Sequence, residues 1–208
     1  MFIYKIKRTF YYFISILFFI TLCVDGHSSE INYSKLSTFT KSNDIRMVVE
    51  IPSGTNKKIE YNQDINIFEI DKINGKNRII NFLSYPGNYG FVPSTLMKKE
   101  FGGDGDPLDI LLISESLKTG TVIDVIPIAL LVLEDNYEND VKIIAIPANK
   151  NLQIVKVKSY EDLRNDYPEL LQIIQLWFLN YKADNITKFI KWDDEVAAKK
   201  TIYKWRVK

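Results

Sequence analysis

From Ile45 to Ile146 the chain breaks into short runs rich in β-branched and aromatic residues, and only beyond residue 158 does its apolar spacing become helical. RMVVEIP, KKIEYN and INIFEID have the length and composition of strands. Leu108–Ile113 reads as a short buried strand and Val141–Ile146 as another. Thr121–Ile128 and Leu130–Glu134 read as strands interrupted at Pro127, which cannot donate to a ladder. Asn74-Gly75 predicts a tight turn between Ile65–Asp71 and Arg78–Phe82. Pro86, Gly87, Gly90 and Pro93 mark turns in SYPGNYGFVP. Later, Ser159 and Asp162 form a capping signal and Pro168 suits the first position of a helix. Leu170, Leu171, Ile174, Trp177, Phe178 and Tyr181 then share helical spacing. Asp193 or Asp194 caps a last helix, with Val196, Ala197 and Ile202 on its apolar face. Strands first and two helices last argue for an α+β domain: a small β-barrel with flanking C-terminal helices. With 208 residues, 46% of them hydrophobic, the chain can fill one such core.

The first residues differ in kind. Lys5, Lys7 and Arg8 precede the apolar run FYYFISILFFITLCV, Phe10–Val24. A basic start followed by such a run reads as an export signal over residues 1–26, cut before His27. The same run approaches the length of a membrane anchor, which it becomes if it is not cut. Export to a periplasm or secretory compartment is the expectation. Organellar or anchored placement is the alternative, and cytoplasmic placement follows if the segment is no signal. Cys23, the only cysteine, lies within the run; Leu22 before it is larger than a lipidated cysteine usually tolerates. Residues 27–44 are polar and read as a linker or N-terminal arm, leaving 45–208 as the functional domain. Beyond residue 26 there is no thiol and only His27 as histidine, which argues against thiol nucleophiles, serine–histidine triads and histidine-rich zinc sites. A net charge of +1 gives no reason to expect nucleic acid as a partner.

Carboxylates, lysines, arginines and tyrosines must therefore carry any chemistry. GGDGDPLDILLIS sets Asp104, Asp106 and Asp109 directly before a strand. Aspartates are ordinary turn residues, but three so close raise each other's pKa, and a hard cation relieves that cost. An EF-hand loop does not fit, because Leu108 and Asp109 fall where a ligand and a glycine are needed. A second acidic loop, LEDNYENDVKIIAIP, carries Asp135, Asp140 and then Lys142. If the two loops meet at one end of a barrel, their aspartates suit magnesium, which takes oxygen ligands and shares them with phosphate. Lys58, Arg78, Lys142 and Lys182, with Tyr89 and Tyr181, are candidates to hold a polyanion. Taken singly, each reads more readily as a surface charge or a packed ring than as a ligand. No phosphate-cradling glycine loop of the P-loop type is present.

Five segments in order resemble family I soluble inorganic pyrophosphatases: VEIPSGTNKKIEY (Val49–Tyr61), YPGNYGFVP (Tyr85–Pro93), DGDPLD (Asp104–Asp109), EDNYENDVKIIAIP (Glu134–Pro147) and NYK (Asn180–Lys182). The resemblance implies a five-stranded OB-like barrel and magnesium-dependent hydrolysis of pyrophosphate, with several ions per site and Mn2+ or Zn2+ as substitutes. It implies Asp106 as the general base on the attacking water. Asp104, Asp109 and Asp140 would bind metal, Asp135 a further ion, and Glu50 metal-bound water. Lys58, Arg78, Tyr89, Lys142, Tyr181 and Lys182 would bind phosphate, with Glu60 and Tyr85 in support. The stretch before Tyr85 is one residue shorter than is typical, so Arg78 is the assignment with least support. The length left without residues 1–26 resembles the short bacterial-type branch, implying a homo-oligomer, a hexamer rather than a dimer. The alternative is an exported, non-catalytic module that binds metal or polyphosphate. Hydrolysis of longer polyphosphates or nucleotides is a further reading.

Overall fold

The computed structural model describes residues 31–182 and 187–207. The signal or anchor segment lies outside the described residues. Among those described, no helix is long and apolar enough to cross a membrane.

Ten strands and three helices run in the order β1 (Ile45–Ile51), β2 (Ile59–Asn62), β3 (Ile67–Ile70), β4 (Lys72–Ile73), β5 (Lys76–Asn77), β6 (Asn88–Phe91), β7 (Asp109–Leu112), β8 (Val122–Asp135), β9 (Glu138–Pro147), α1 (Tyr160–Asp166), α2 (Pro168–Asn180), β10 (Lys188–Asp194) and α3 (Glu195–Trp205). The main sheet is ordered β1-β6-β7-β9-β8-β10, and β1 also pairs with β8. That extra pairing closes β1, β6, β7, β9 and β8 into a ring, the expected five-stranded barrel, and closure removes two edges. The long β8 makes this possible: Val122–Val125 pairs with β1, while the rest of the strand pairs with β9 and β10.

The barrel walls are buried on both faces. Leu111, Ile144 and Ile146 pack with Trp177 and Phe178 of α2, whereas Ile110, Leu112, Ile143 and Ala145 pack with Ala198, Ile202 and Trp205 of α3. Burial on two sides explains why these strands read as unbroken apolar runs. Asn88 is fully buried at the start of β6. Its Oδ1 accepts from the Ser53 and Leu117 N–H groups, and its amide donates to Ser114 and Glu115, so the polar side chain carries no desolvation debt.

Several expectations change in detail. β8 runs through Pro127, because the proline sits at a register shift against β9. Asn74 and Gly75 do form the turn, with φ of 53° and 75°, but the strands it joins are only two residues each. Residues 78–82 form no strand. The Arg78 carbonyl accepts from Lys58 N–H and the Ile80 N–H donates to Asn56, so this stretch lies along the loop before β2. There are three helices rather than two, since Tyr167 takes a non-helical conformation ahead of Pro168 and parts α1 from α2. Ser159 caps α1 through the Asp162 N–H, and of the two candidate caps for α3 it is Asp194 that accepts, from Ala197 N–H at 2.8 Å. β10 has no counterpart in the sequence reading. It is an outer strand on β8 with mostly exposed side chains and an irregular register at Ile190, so it shows no alternation to read. The polar stretch before β1 is docked from Ile31 onward: Thr38 is buried and donates to the Pro93 carbonyl at 2.9 Å.

Candidate active site

One cavity of about 390 Å³ opens at an end of the barrel, and all fourteen residues singled out in the sequence line it. The carboxylates are Glu50, Glu60, Asp104, Asp106, Asp109, Asp135 and Asp140; the cations are Lys58, Arg78, Lys142 and Lys182; the phenols are Tyr85, Tyr89 and Tyr181.

Strand register assembles the centre. β7 and β9 run parallel with Asp109 opposite Lys142. Asp140 lies two residues before Lys142 on β9, so both carboxylates reach the one ammonium, and Lys142 pairs with both. Only 4% of Lys142 is exposed, and its ammonium stands 5.8 Å from the Tyr89 ring and 5.7 Å from that of Phe178. Burial alone would lower its pKa, but Asp109 and Asp140 hold it well above the ordinary value, so it stays charged. Lys182 pairs likewise with Asp135, which also accepts from the Thr187 hydroxyl at 3.0 Å. Burial would raise the Asp135 pKa, but those partners pull it below the usual range.

Glu50 reaches the cavity because β1 bulges there. Val49 faces Gly90 and Ile51 faces Tyr89, which leaves Glu50 as the extra residue. A bulge re-aims a side chain that regular alternation would point elsewhere. Its Oε1 accepts from the Tyr61 N–H at 2.8 Å. Along Lys58 and the start of β2, alternation sends Lys58 and Glu60 to the cavity, where they pair, and Ile59 to the core. Arg78 lines the cavity while its guanidinium holds Asp71 at 3.2 Å. Tyr181, at the end of α2, stacks on Trp177 with ring centroids 4.6 Å apart.

The acidic turn is ordered by its own backbone. Gly105 takes φ of +94°, and the Asp106 N–H donates to Asp104 Oδ1 at 2.9 Å. Asp104, Asp106 and Glu50 make no ion pair among the described residues. Burial raises the Asp104 pKa to about 6, with Asp109 and Asp106 adding to it. Burial likewise raises Asp106, assisted by Asp109 and Glu60, and lifts Glu50 to about 8. Desolvated carboxylate oxygens short of positive charge are the donor set a hard divalent cation requires. Among the described residues no three of them close into a ready-made cage.

Sequence reasoning missed Gln63, Glu138 and Asn139, which also line the cavity. Glu138 and Asn139 sit between the two aspartates of the β8–β9 turn, and their signal was that position. Trp177 and Phe178, which the sequence marks only by their helical spacing, also form part of the cavity wall.

The family model for inorganic pyrophosphatase matches residues 47–208. The chain belongs to this family. It is 40% identical over 169 residues to the inorganic pyrophosphatase of Mesorhizobium japonicum, covering 76% of this chain and 86% of that one. The crystal structure of the Thermus thermophilus inorganic pyrophosphatase superposes with a TM-score of 0.71 at 31% identity, over 83% of this chain and 95% of the other. An N-terminally truncated vacuolar soluble pyrophosphatase of Trypanosoma cruzi, solved in complex with PPi, gives 0.72 at 26% identity over 85% and 74%. Proteins of this family depend on metal ions, as the donor set requires.

The raised pKa of Glu50 has a consequence for stability. Its folded value of about 8 exceeds the ordinary 4.5, so between these limits the native state binds more protons than the unfolded one. Stability of the metal-free protein is therefore greatest below that window and falls as pH rises through it. A bound cation favours the ionised carboxylate and opposes this loss. The gain in melting temperature on adding a divalent cation is expected to be several degrees larger near pH 8 than near pH 5.5. Equal gains in differential scanning fluorimetry at both pH values would refute it.

Proposed function

We propose that this pyrophosphatase-family chain hydrolyses inorganic pyrophosphate to two phosphates, with magnesium as its cation. The observation that carries the reading is the meeting of six carboxylates, Glu50, Asp104, Asp106, Asp109, Asp135 and Asp140, with four cations in one cavity. A site for a neutral or cationic substrate would not need Lys58, Arg78, Lys142 and Lys182 together.

Held by Asp104, Asp109 and Asp140, with Asp135 and Glu50 beside them, divalent cations would neutralise phosphate charge and acidify a water ligand. The chain's own groups do the rest. Asp106, which makes no ion pair among the described residues, accepts the proton of the attacking water. Lys142 stays cationic, and with Lys58, Arg78 and Lys182 it meets the negative charge of both phosphoryl groups. Burial keeps the phenol of Tyr89 protonated, so it donates to phosphate oxygen; Tyr181 serves beside it. As one P–O bond forms to water, the bridging P–O bond breaks and its electron pair leaves with the second phosphate. No covalent nucleophile is needed, since positioning and charge supply most of phosphoryl-transfer catalysis.

The test is phosphate release from pyrophosphate, triphosphate and a nucleoside triphosphate, with magnesium and with chelator. Magnesium-dependent release from pyrophosphate above the others is expected, and none from pyrophosphate would overturn the proposal. The basic start and apolar run of residues 1–26 support export, with the segment cut or kept as an anchor. Mass spectrometry of the native N-terminus tests this. A homo-oligomer, hexameric rather than dimeric, completes the reading, and a monomeric mass in solution would remove it.

A further inference from the structure

The family match begins at residue 47, yet the cavity wall begins at Ser34. The segment that carries Ser34 is strapped to the loop after β6. Ser94 donates from its N–H to the Ser34 carbonyl at 3.0 Å and from its hydroxyl to the Leu36 carbonyl at 2.8 Å. At the other end of the strap, Tyr33 reaches the β2–β3 hairpin. Its N–H donates to the Tyr61 hydroxyl at 3.2 Å. Its ring meets Tyr61 edge-on at 5.3 Å and Phe68 at 4.9 Å. Gly120 makes room for it, since a Cβ there would stand 3.2 Å from the Tyr33 hydroxyl.

This contact matters because of what the hairpin lacks and what it carries. Among the described residues, β2 and β3 pair with each other and with no strand of the barrel. Side chains and loop contacts, not a sheet ladder, therefore hold the hairpin over the cavity. β2 follows Lys58 and contains Glu60, and the Tyr61 N–H is the donor to Glu50. We propose that Tyr33 is a positioning residue: it clamps Tyr61, and so holds Lys58, Glu60 and Glu50 at their places in the cavity wall. Its effect on turnover rests on the pyrophosphatase reading; the clamp itself does not. Small displacements of positioned groups carry large kinetic costs.

The test uses the full chain with Tyr33→Ala, Tyr33→Phe and, as a control in α3, Ile202→Ala. Hydrogen exchange over residues 57–70 is read alongside KM and kcat for pyrophosphate. Tyr33→Ala is expected to speed hairpin exchange about tenfold and to raise KM about tenfold, with kcat changed less than about threefold. All variants keep the backbone N–H, so the ring contacts are what the comparison isolates: Tyr33→Phe keeps the ring and restores both readouts. Ile202→Ala lowers the melting temperature by emptying core space, without moving KM or hairpin exchange. Unchanged exchange in Tyr33→Ala overturns the clamp. Faster exchange with unchanged kinetics, or an equal rise in KM from Ile202→Ala, overturns the positioning role. A wild-type protein that releases no phosphate overturns the pyrophosphatase reading instead, and the exchange result still decides the clamp.

Discussion

Asp106→Asn is expected to lower kcat for pyrophosphate hydrolysis by about 10²–10⁴-fold, the range lost when a general base is removed. The substitution keeps size and shape but removes the basic oxygen. Asp106 makes no ion pair among the described residues, and its backbone N–H, not its side chain, ties the turn to Asp104. The acidic turn should therefore keep its form and the variant should fold. Cation binding should persist too, because Asp104, Asp109 and Asp140 are untouched. The two measurements are phosphate release and the cation-induced rise in melting temperature. Lost turnover with a preserved rise supports the base. Full turnover would remove Asp106 from that role, and loss of both would make it a metal ligand. The sign for pH also follows. Burial, Asp109 and Glu60 raise the Asp106 pKa in the metal-free site and bound cations oppose that rise, so wild-type activity should decline on the acid side as Asp106 takes up a proton, and more cation should move that decline to lower pH.

The parts of this site that the sequence makes legible are those where chemistry is local. Asp104, Asp106 and Asp109 crowd one turn before an apolar strand, and crowding of like charge is visible in one dimension. The pairing of Asp109 with Lys142 is not, because it depends on β7 and β9 lying side by side in a parallel register across thirty-odd residues. Glu50 is hidden for another reason: a bulge alters its facing, and only the resemblance to pyrophosphatases singles it out. In the fold, runs buried on both faces and helix starts with caps were readable, since each leaves a compositional mark. β10 left none, because its exposed side chains answer to β8 rather than to a core. Tyr33 was passed over as part of a polar arm; its importance lies in what it touches, and contact across a fold has no linear signal.

Gly90→Ala is expected to cost the protein at least about 3 kcal/mol, the upper part of the range for overpacking. Gly90 does not need a positive φ; it needs space. It lies in β6, between β1 and β7, at the bulge that exposes Glu50. A Cβ on it would overlap the Val48 carbonyl oxygen and stand 3.0 Å from the Glu50 N–H. Both obstacles are backbone, so no rotamer change relieves them. Moving β1 outward would strain its pairing with β8, and that pairing closes the ring. For a domain of this size the loss corresponds to a fall in melting temperature of roughly 6–12 °C. Because the displaced strand carries Glu50, the soluble fraction should also need more cation for half-maximal turnover than wild type. A melting temperature within about 2 °C of wild type would show that β1 yields freely. The ring would then not be what fixes the bulge.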